Sequence, residues 1–176
     1  VQDGQGRIWT TSGKRFDPYA GSWTATTGWF HRFPVAYDSL RDTLFSIQYG
    51  DGQGFDSGLN SVKVDAATGT ASVITINASA AYTDWLAAAP SYATLDYDPD
   101  NDRFLFYHGG ETGKVYVITP NSGTAWDMSV LATTGTPSAT PASGAGINKR
   151  FLYVPKLKGF VMVPKASSNI WYLRTK

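Results

Sequence analysis

The sequence contains no cysteine among its 176 residues. A disulfide framework, a thiolate zinc site and a cysteine nucleophile are therefore excluded. Only 16% of the residues are charged and the net charge is +1, so we expect no basic surface for nucleic acid. No stretch approaches the roughly 18 consecutive apolar residues of a spanning helix, so we also expect no membrane insertion and no signal peptide at Val1.

The residues that are abundant favour a folded, aromatic-rich β protein. Apolar residues make up 42% of the chain and aromatic residues 14%, which excludes a disordered chain. A chain of this size buries roughly 70% of its unfolded surface in one core. Abundant Gly, Ser, Thr and aromatic residues with few charges fit an extracellular protein or one on a virion surface.

One motif occurs three times, at Tyr37–Leu44, Tyr97–Phe104 and Tyr153–Phe160, at intervals of 60 and then 56 residues. Each copy reads as a short strand, a polar turn and a second strand. Repeats of this length that consist of strands are typical of β-propellers. The sequence therefore predicts an all-β fold, a β-propeller of four-stranded antiparallel blades.

Superimposing the copies predicts two complete blades. The strands of the first complete blade are expected at residues 33–38, 43–49, 60–65 and 70–76, and those of the second at residues 93–98, 103–107, 114–119 and 125–132. The alanine-rich segment between these blades ends at Pro90 and predicts one short helix within residues 77–90.

The two ends of the chain predict incomplete blades. The expected divisions are a partial blade at 1–27, blades at 33–76 and 92–132, and a partial blade at 148–176. We expect strands three and four in the first partial blade and strands one to three in the last. Because a closed ring takes about four to eight blades, we expect either a homo-oligomer or completion by another chain segment.

The second complete blade resembles a Kelch repeat. It has Gly109 and Gly110 after strand two, Tyr116 on strand three and Trp126 on strand four. The segment 16–23 resembles the junction between strands three and four of the same repeat. The other blades depart from the pattern, with Ala71 near the tryptophan position and no glycine pair. The resemblance implies a relative of Kelch and galactose-oxidase propellers.

That relationship bears on cofactors. The copper site of galactose-oxidase-like proteins uses a tyrosine linked to a cysteine, and this chain has no cysteine. We therefore expect no cofactor.

The densest acidic run, Asp96–Asp102, has two interpretations. Alternating carboxylates are ligands that calcium prefers, but Arg103 and Phe104 occupy positions where an EF-hand needs glycine and oxygen ligands. The run also aligns with turns elsewhere in the repeat, and Asp, Asn and Pro are typical turn residues. The turn is the favoured interpretation, and we expect no metal site.

The loops between strands two and three and the connections between blades are expected on one face. Loops on a rigid scaffold commonly carry binding residues, and the candidate ligand-binding residues of this face are Trp29, His31, Arg32, Asp51, Asp56, Tyr82, Trp85, His108 and Glu111. In the alternative interpretation, the aromatic residues only cap the hydrophobic ends of the blades.

The spacing of these residues gives little support for catalysis. Glycosidase chemistry needs two carboxylates flanking the substrate, and nothing in the sequence pairs the acidic residues of this face. We therefore predict a non-catalytic module that recognises a glycan or protein ligand. The alternatives are a structural assembly subunit of a virion or cell-surface layer, and a fragment of a propeller-type glycoside hydrolase or lyase.

Overall fold

The computed structural model describes residues 1–10, 13–26, 34–47, 61–88, 93–107, 114–135, 150–163 and 169–175. The chain forms two compact units. The first contains Val1–Thr75 with Gly123–Ala125, and the second contains Ile76–Ser122 with Trp126–Lys176.

The first unit consists of short antiparallel strands that pair with their neighbours in the chain. Three strands form one sheet, and four more pair in sequence order as a second meander. Their bounds are β1 (Ile8–Trp9), β2 (Lys14–Asp17), β3 (Ser22–Ala25), β4 (Val35–Asp38), β5 (Thr43–Ser46), β6 (Ser61–Asp65) and β7 (Ala71–Ile76).

The meander β4 to β7 confirms the predicted strand positions. Within the described residues, each strand lies inside the range that the sequence predicts. The motif at Tyr37–Leu44 is a hairpin in which Tyr37 lies opposite Leu44 and Asp38 opposite Thr43. All four residues of β5 are buried, as expected for a strand covered on both faces.

The first sheet has more strands than the sequence predicts. Only strands three and four were expected, whereas β1 pairs with β2 and Gln2 forms a further bridge with Ile8. The turn before β1 is closed by Asp3, whose Oδ1 accepts the backbone N–H groups of Gln5 and Arg7, each at 3.0 Å. The expectation failed because a two-residue strand has no alternation for a pattern to detect.

The core of the first unit joins its two sheets. Trp9 packs with Val35, Leu44, Val64 and Ala66. The guanidinium of Arg15 lies 5.4 Å from the centre of the Trp9 ring, and its Nη1 donates to the backbone oxygen of Ala66 at 2.8 Å. One cation thus contacts both the first sheet and the turn that follows β6.

The second unit has one helix and seven strands among its described residues. The helix α1 covers Ala80–Ala87, and the strands are β8 (Thr94–Asp98), β9 (Arg103–Tyr107), β10 (Val115–Thr119), β11 (Ala125–Leu131), β12 (Phe151–Val154), β13 (Gly159–Met162) and β14 (Trp171–Arg174). Strands β8 to β11 pair antiparallel in order, and so do β12 to β14.

These elements confirm the predicted short helix and the predicted positions of strands β8 to β11. The helix begins after Ser79, whose hydroxyl accepts the Tyr82 N–H at 3.1 Å, as a helix N-cap does.

The core of the second unit lies between β9, β10 and the last three strands. Leu105, Tyr107 and Val115 pack there against Phe151 and Phe160. The Tyr107 and Phe151 rings are 5.7 Å apart, and the Phe151 and Phe160 rings are 4.6 Å apart. Stacked aromatic rings of this kind contribute about 0.5–1.5 kcal/mol beyond the area they bury.

The three copies of the repeated motif share one backbone conformation. Asp42, Asp102 and Lys158 have φ values of 49°, 48° and 51° at equivalent positions of their turns. In the first two copies a tyrosine hydroxyl donates to the aspartate five residues later, from Tyr37 to Asp42 at 2.8 Å and from Tyr97 to Asp102 at 2.7 Å. The acidic run is therefore a turn, as the favoured interpretation predicts.

The third copy lacks these aspartates, and carboxylates of the preceding hairpin lie beside it. It has Val154 and Lys158 where the other copies have aspartate. The N–H of Tyr153 donates to Oδ2 of Asp96 at 2.8 Å. Burial of the Tyr153 hydroxyl and the nearby Asp100 carboxylate raise the pKa of Tyr153 to about 12.

Candidate functional site

The predicted binding face corresponds in the second unit to the end where β9 finishes and β10 begins. At this end Tyr107 lies opposite both Thr94 and Val115. We call it the loop end, because the chain leaves β9 here and returns to β10 after residues 108–113. The helix α1 also contacts this end, since the ring centre of Trp85 lies 5.7 Å from that of Phe106.

Most of the predicted ligand-binding residues lie outside the described part of the chain. These are Trp29, His31, Arg32, Asp51, Asp56, His108 and Glu111. Tyr82 and Trp85 are described, and both lie on α1. The role of the whole set in binding stays a prediction.

Trp85 is buried instead of facing solvent. Its side chain is only 1% exposed, and it packs edge-on against Phe106 and stacks with Tyr82 at 6.0 Å. A ring in this position offers no open face to a ligand and fits the alternative interpretation, in which aromatic residues cap the blade ends. Tyr82 is half-buried and covers Trp85.

A charged cluster beside α1 is the clearest polar feature of the loop end. Lys114 Nζ lies 2.7 Å from Oδ1 and 2.8 Å from Oδ2 of Asp84. The hydroxyl of the buried Tyr116 donates to Oδ2 of the same carboxylate at 2.8 Å. We call these three residues the Asp84 cluster.

The contacts of the cluster shift the pKa values of Asp84 and Tyr116. Hydrogen bonds from Lys114 and Tyr116 lower the pKa of Asp84. Burial and the Asp84 carboxylate raise the pKa of Tyr116 well above its usual value. The Asp84 and Lys114 side chains remain 40% and 39% exposed, so a ligand can reach both charges.

A cleft of about 270 Å³ opens in the second unit along β14. It is lined by the end of β9, the start of β10, the residues after β11, and parts of β12, β13 and β14. Tyr107, Phe151 and Met162 supply apolar surface, and Arg174 supplies a positive charge. The volume is close to the lower limit of the range of small-molecule pockets.

Sequence reasoning missed Lys114 and Arg174 as residues of this region. Lys114 stands 30 residues from Asp84, and no local pattern reports such a distant pair. Tyr116 was noted only as a repeat residue, although its polar tip was expected to need a partner. Arg174 lies in a segment with an ordinary strand pattern. Only the folded structure shows that this residue lines a cleft.

Among the described residues, we find neither a membrane-spanning helix nor a cluster of metal ligands. None of the helices in the described ranges is long and apolar enough to span a membrane. No three Asp, Glu or His side chains converge as metal ligands in the same ranges.

Comparison with known proteins identifies the fold. No protein-family model matches the chain, and no curated protein matches it either. Among solved structures, the chain is similar to TolB from Acinetobacter baumannii, with 15% identity and a TM-score of 0.50. The similarity covers 90% of this chain and 33% of TolB. The fold is that of a β-propeller.

A second propeller structure gives a weaker similarity. The periplasmic gluconolactonase PpgL from Pseudomonas aeruginosa is 16% identical with a TM-score of 0.42, covering 84% of this chain and 38% of that one. This chain therefore spans about a third of the length of TolB and 38% of the length of PpgL. The similarity to TolB, at 15% identity, shows the fold alone.

Proposed function

We propose that the chain is part of a non-catalytic propeller module that recognises a glycan at its loop end. The observation that carries the proposal is the Asp84 cluster, a half-exposed ion pair held in place by a buried tyrosine. Its position at the loop end supports the predicted binding face. We also propose that the module belongs to the Kelch-like propellers and that it lies outside the cell or on a virion surface.

The chemistry of the cluster suits a polyhydroxylated ligand. Asp84 offers acceptor oxygens and Lys114 offers N–H donors, so adjacent sugar hydroxyls find one partner of each kind. Tyr82 lies two residues before Asp84 and is half-buried. Its ring, stacked on the buried Trp85, is held rigidly where the C–H face of a sugar can pack.

The same geometry favours recognition over hydrolysis. A general acid at neutral pH needs a raised pKa, whereas the contacts of Asp84 lower its pKa. The carboxylate is therefore ionised and already accepts three hydrogen bonds from two residues. The alternative of a glycoside hydrolase or lyase fragment gains no support from Asp84.

The test is a glycan array followed by calorimetric titration of the best ligand. Lys114→Met and Tyr82→Ala should each weaken binding by about tenfold, because each removes a contact worth roughly 1–2 kcal/mol. Lys156→Met and Tyr19→Ala are matched controls, because these exposed residues lie in the β12–β13 and β2–β3 turns and should leave the affinity unchanged.

Two outcomes would overturn the proposal. One is a glycan that binds both variants as tightly as the original chain. The other is an array with no ligand together with a protein partner whose binding depends on the Asp84 cluster. The second result would keep the loop end as the site and change the ligand from a glycan to a protein.

A further inference from the structure

The two carboxylate oxygens of Asp84 are used unequally. Oδ2 accepts one hydrogen bond from Lys114 Nζ and another from the Tyr116 hydroxyl, each at 2.8 Å, whereas Oδ1 accepts one from Lys114 Nζ at 2.7 Å. A carboxylate oxygen can accept about two hydrogen bonds. The described residues therefore fill Oδ2 and leave one acceptor position open on Oδ1.

The hydrogen bond from Tyr116 decides which oxygen is filled, because both of its partners stand on packed elements. Tyr116 is fully buried on β10, and its ring centre lies 6.3 Å from that of Phe106 on β9. Asp84 lies on α1, and the N-cap of this helix is tied to β11 by a hydrogen bond of 3.2 Å from the Ser79 hydroxyl to the Met128 oxygen. The orientation of the carboxylate is thus built into the fold.

The open position on Oδ1 limits what a ligand can present to it. The Asp84 side chain is 40% exposed, so a ligand can reach it. Hydrogen bonds from Lys114 and Tyr116 lower the pKa of Asp84, so the carboxylate is ionised at neutral pH and can only accept. The ligand group that meets Oδ1 must therefore donate. A sugar hydroxyl donates, whereas an O-methyl group, a deoxy position and a carboxylate do not.

The charge of the cluster also bears on the ligand. Asp84 and Lys114 form an ion pair at 2.7 Å, so their charges largely cancel for a molecule that approaches from outside. An acidic sugar gains no net attraction from this pair, and its carboxylate adds a second acceptor beside Oδ1. The cluster therefore favours uncharged sugars.

We propose that the loop end selects uncharged glycans that present a free hydroxyl to Oδ1 of Asp84, and that Tyr116 is the positioning residue for this selectivity. The inference rests on the proposed glycan site and names the class of sugar that the site takes. It gives Tyr116 a role that is separate from contact with the ligand, since its hydroxyl is already bonded to Oδ2.

The probes are the methyl glycosides of glucose, galactose and mannose, with their monodeoxy, mono-O-methyl and uronic acid derivatives. Each is titrated into the isotopically labelled whole chain, and the amide resonances of α1 report binding. For the sugar that binds best, the deoxy and O-methyl derivatives at one position should both bind about tenfold more weakly, because each loses a hydrogen bond to a charged acceptor. Its uronic acid form should bind no more tightly than the neutral sugar, even at low salt.

Asp84→Asn should change the selectivity instead of abolishing binding. Lys114 and Tyr116 both donate, so they hold the amide oxygen and leave the amide NH₂ group at the open position. This group donates to an ether oxygen as well as to a hydroxyl. The O-methyl derivative should then bind within about twofold of the parent sugar, while the deoxy derivative stays about tenfold weaker.

Tyr116→Phe tests the positioning role. Without the hydroxyl, Oδ2 also has an open acceptor position, and a sugar that lacks one hydroxyl can pair a neighbouring hydroxyl with it. The penalty for the deoxy derivative should fall from about tenfold to about threefold. This ratio compares two ligands on one protein, so a purely structural role of Tyr116 would not change it. Tyr107→Phe is the control, because this buried tyrosine of the loop end makes no hydrogen bond to Asp84.

The outcomes separate this inference from the glycan site itself. Equal affinities for the parent, deoxy and O-methyl sugars, with binding still dependent on Lys114 and Tyr82, would overturn the inference and keep the site. A uronic acid form that binds more tightly than its neutral sugar would do the same. A panel in which no sugar binds would also overturn the inference, and a ligand on the glycan array would then still support the site. An unchanged deoxy penalty in Tyr116→Phe would remove the role of Tyr116.

Discussion

The hydroxyl of Tyr97 donates a 2.7 Å hydrogen bond to Oδ1 of Asp102, a residue held at a φ of 48°. The aspartate therefore has two roles. It accepts a hydrogen bond from a buried tyrosine, and it adopts a left-handed conformation that most side chains disfavour. The two roles can be separated by substitution.

Asp102→Ala should lower the free energy of unfolding by about 2–3 kcal/mol, because it leaves the Tyr97 hydroxyl without its acceptor and keeps a side chain at positive φ. Asp102→Gly should recover about 1 kcal/mol of that loss, since glycine accepts positive φ. Urea denaturation at neutral pH measures both. Equal losses in the two variants would show that the conformation contributes nothing.

Lys158 occupies the same left-handed position with a φ of 51°. It is exposed, and it closes a turn because its N–H donates to the Pro155 oxygen at 3.2 Å. Lys158→Gly should therefore raise the free energy of unfolding by about 0.5 kcal/mol. Glycine relieves the backbone strain of the positive φ, but it also adds conformational entropy to the unfolded chain, which offsets part of the gain. The neighbouring Lys156→Gly is the control, because Lys156 has no positive φ.

Gly159 leaves no room for a side chain. A Cβ added there would stand 2.5 Å from the backbone oxygen of Leu173 and 2.8 Å from the Tyr172 ring. Gly159→Ala should destabilise the protein by about 1–3 kcal/mol, because β13 and β14 would have to separate. Gly21→Ala measures the cost of a positive φ alone, about 1 kcal/mol, since its added Cβ meets no atom within 4 Å but its φ is 64°. Thermal unfolding compares the two.

The Asp84 cluster should make stability depend on pH on the acid side. Because the folded protein lowers the pKa of Asp84, this contribution is fully present above the ordinary value of about 3.9 and is lost as the pH falls through the lower folded value. Lys114→Met should shift the acid unfolding midpoint to higher pH, because the largest cause of the lowered pKa disappears. An unchanged midpoint in acid titration followed by circular dichroism would contradict this assignment.

Local patterns in the sequence predicted the features that depend on a few neighbouring residues. The repeated tyrosine motif located three hairpins, and an alanine-rich run before Pro90 located α1. Alternation and turn chemistry act over four to eight residues, so a strand such as β5 or β10 is visible in the sequence itself.

Features that depend on distant residues were not predictable in this way. The bond between Lys114 and Asp84 spans 30 residues, and the burial of Trp85 depends on the position of Phe106 across the fold. The sequence of a helix does not show whether its tryptophan is exposed or buried. The cleft along β14 depends on how the strands pair, which composition does not report.

The way in which the third motif copy is held limits how the repeats can be exchanged. The backbone N–H of Tyr153 donates to Asp96 of the preceding hairpin, and the Asp100 carboxylate stands near its hydroxyl, whereas its own turn carries Val154 and Lys158. A segment cut at 150–175 and grafted onto another scaffold would leave those acidic partners behind. Recombination between repeats, in the laboratory or in evolution, must therefore transfer the β8–β9 hairpin together with the last three strands.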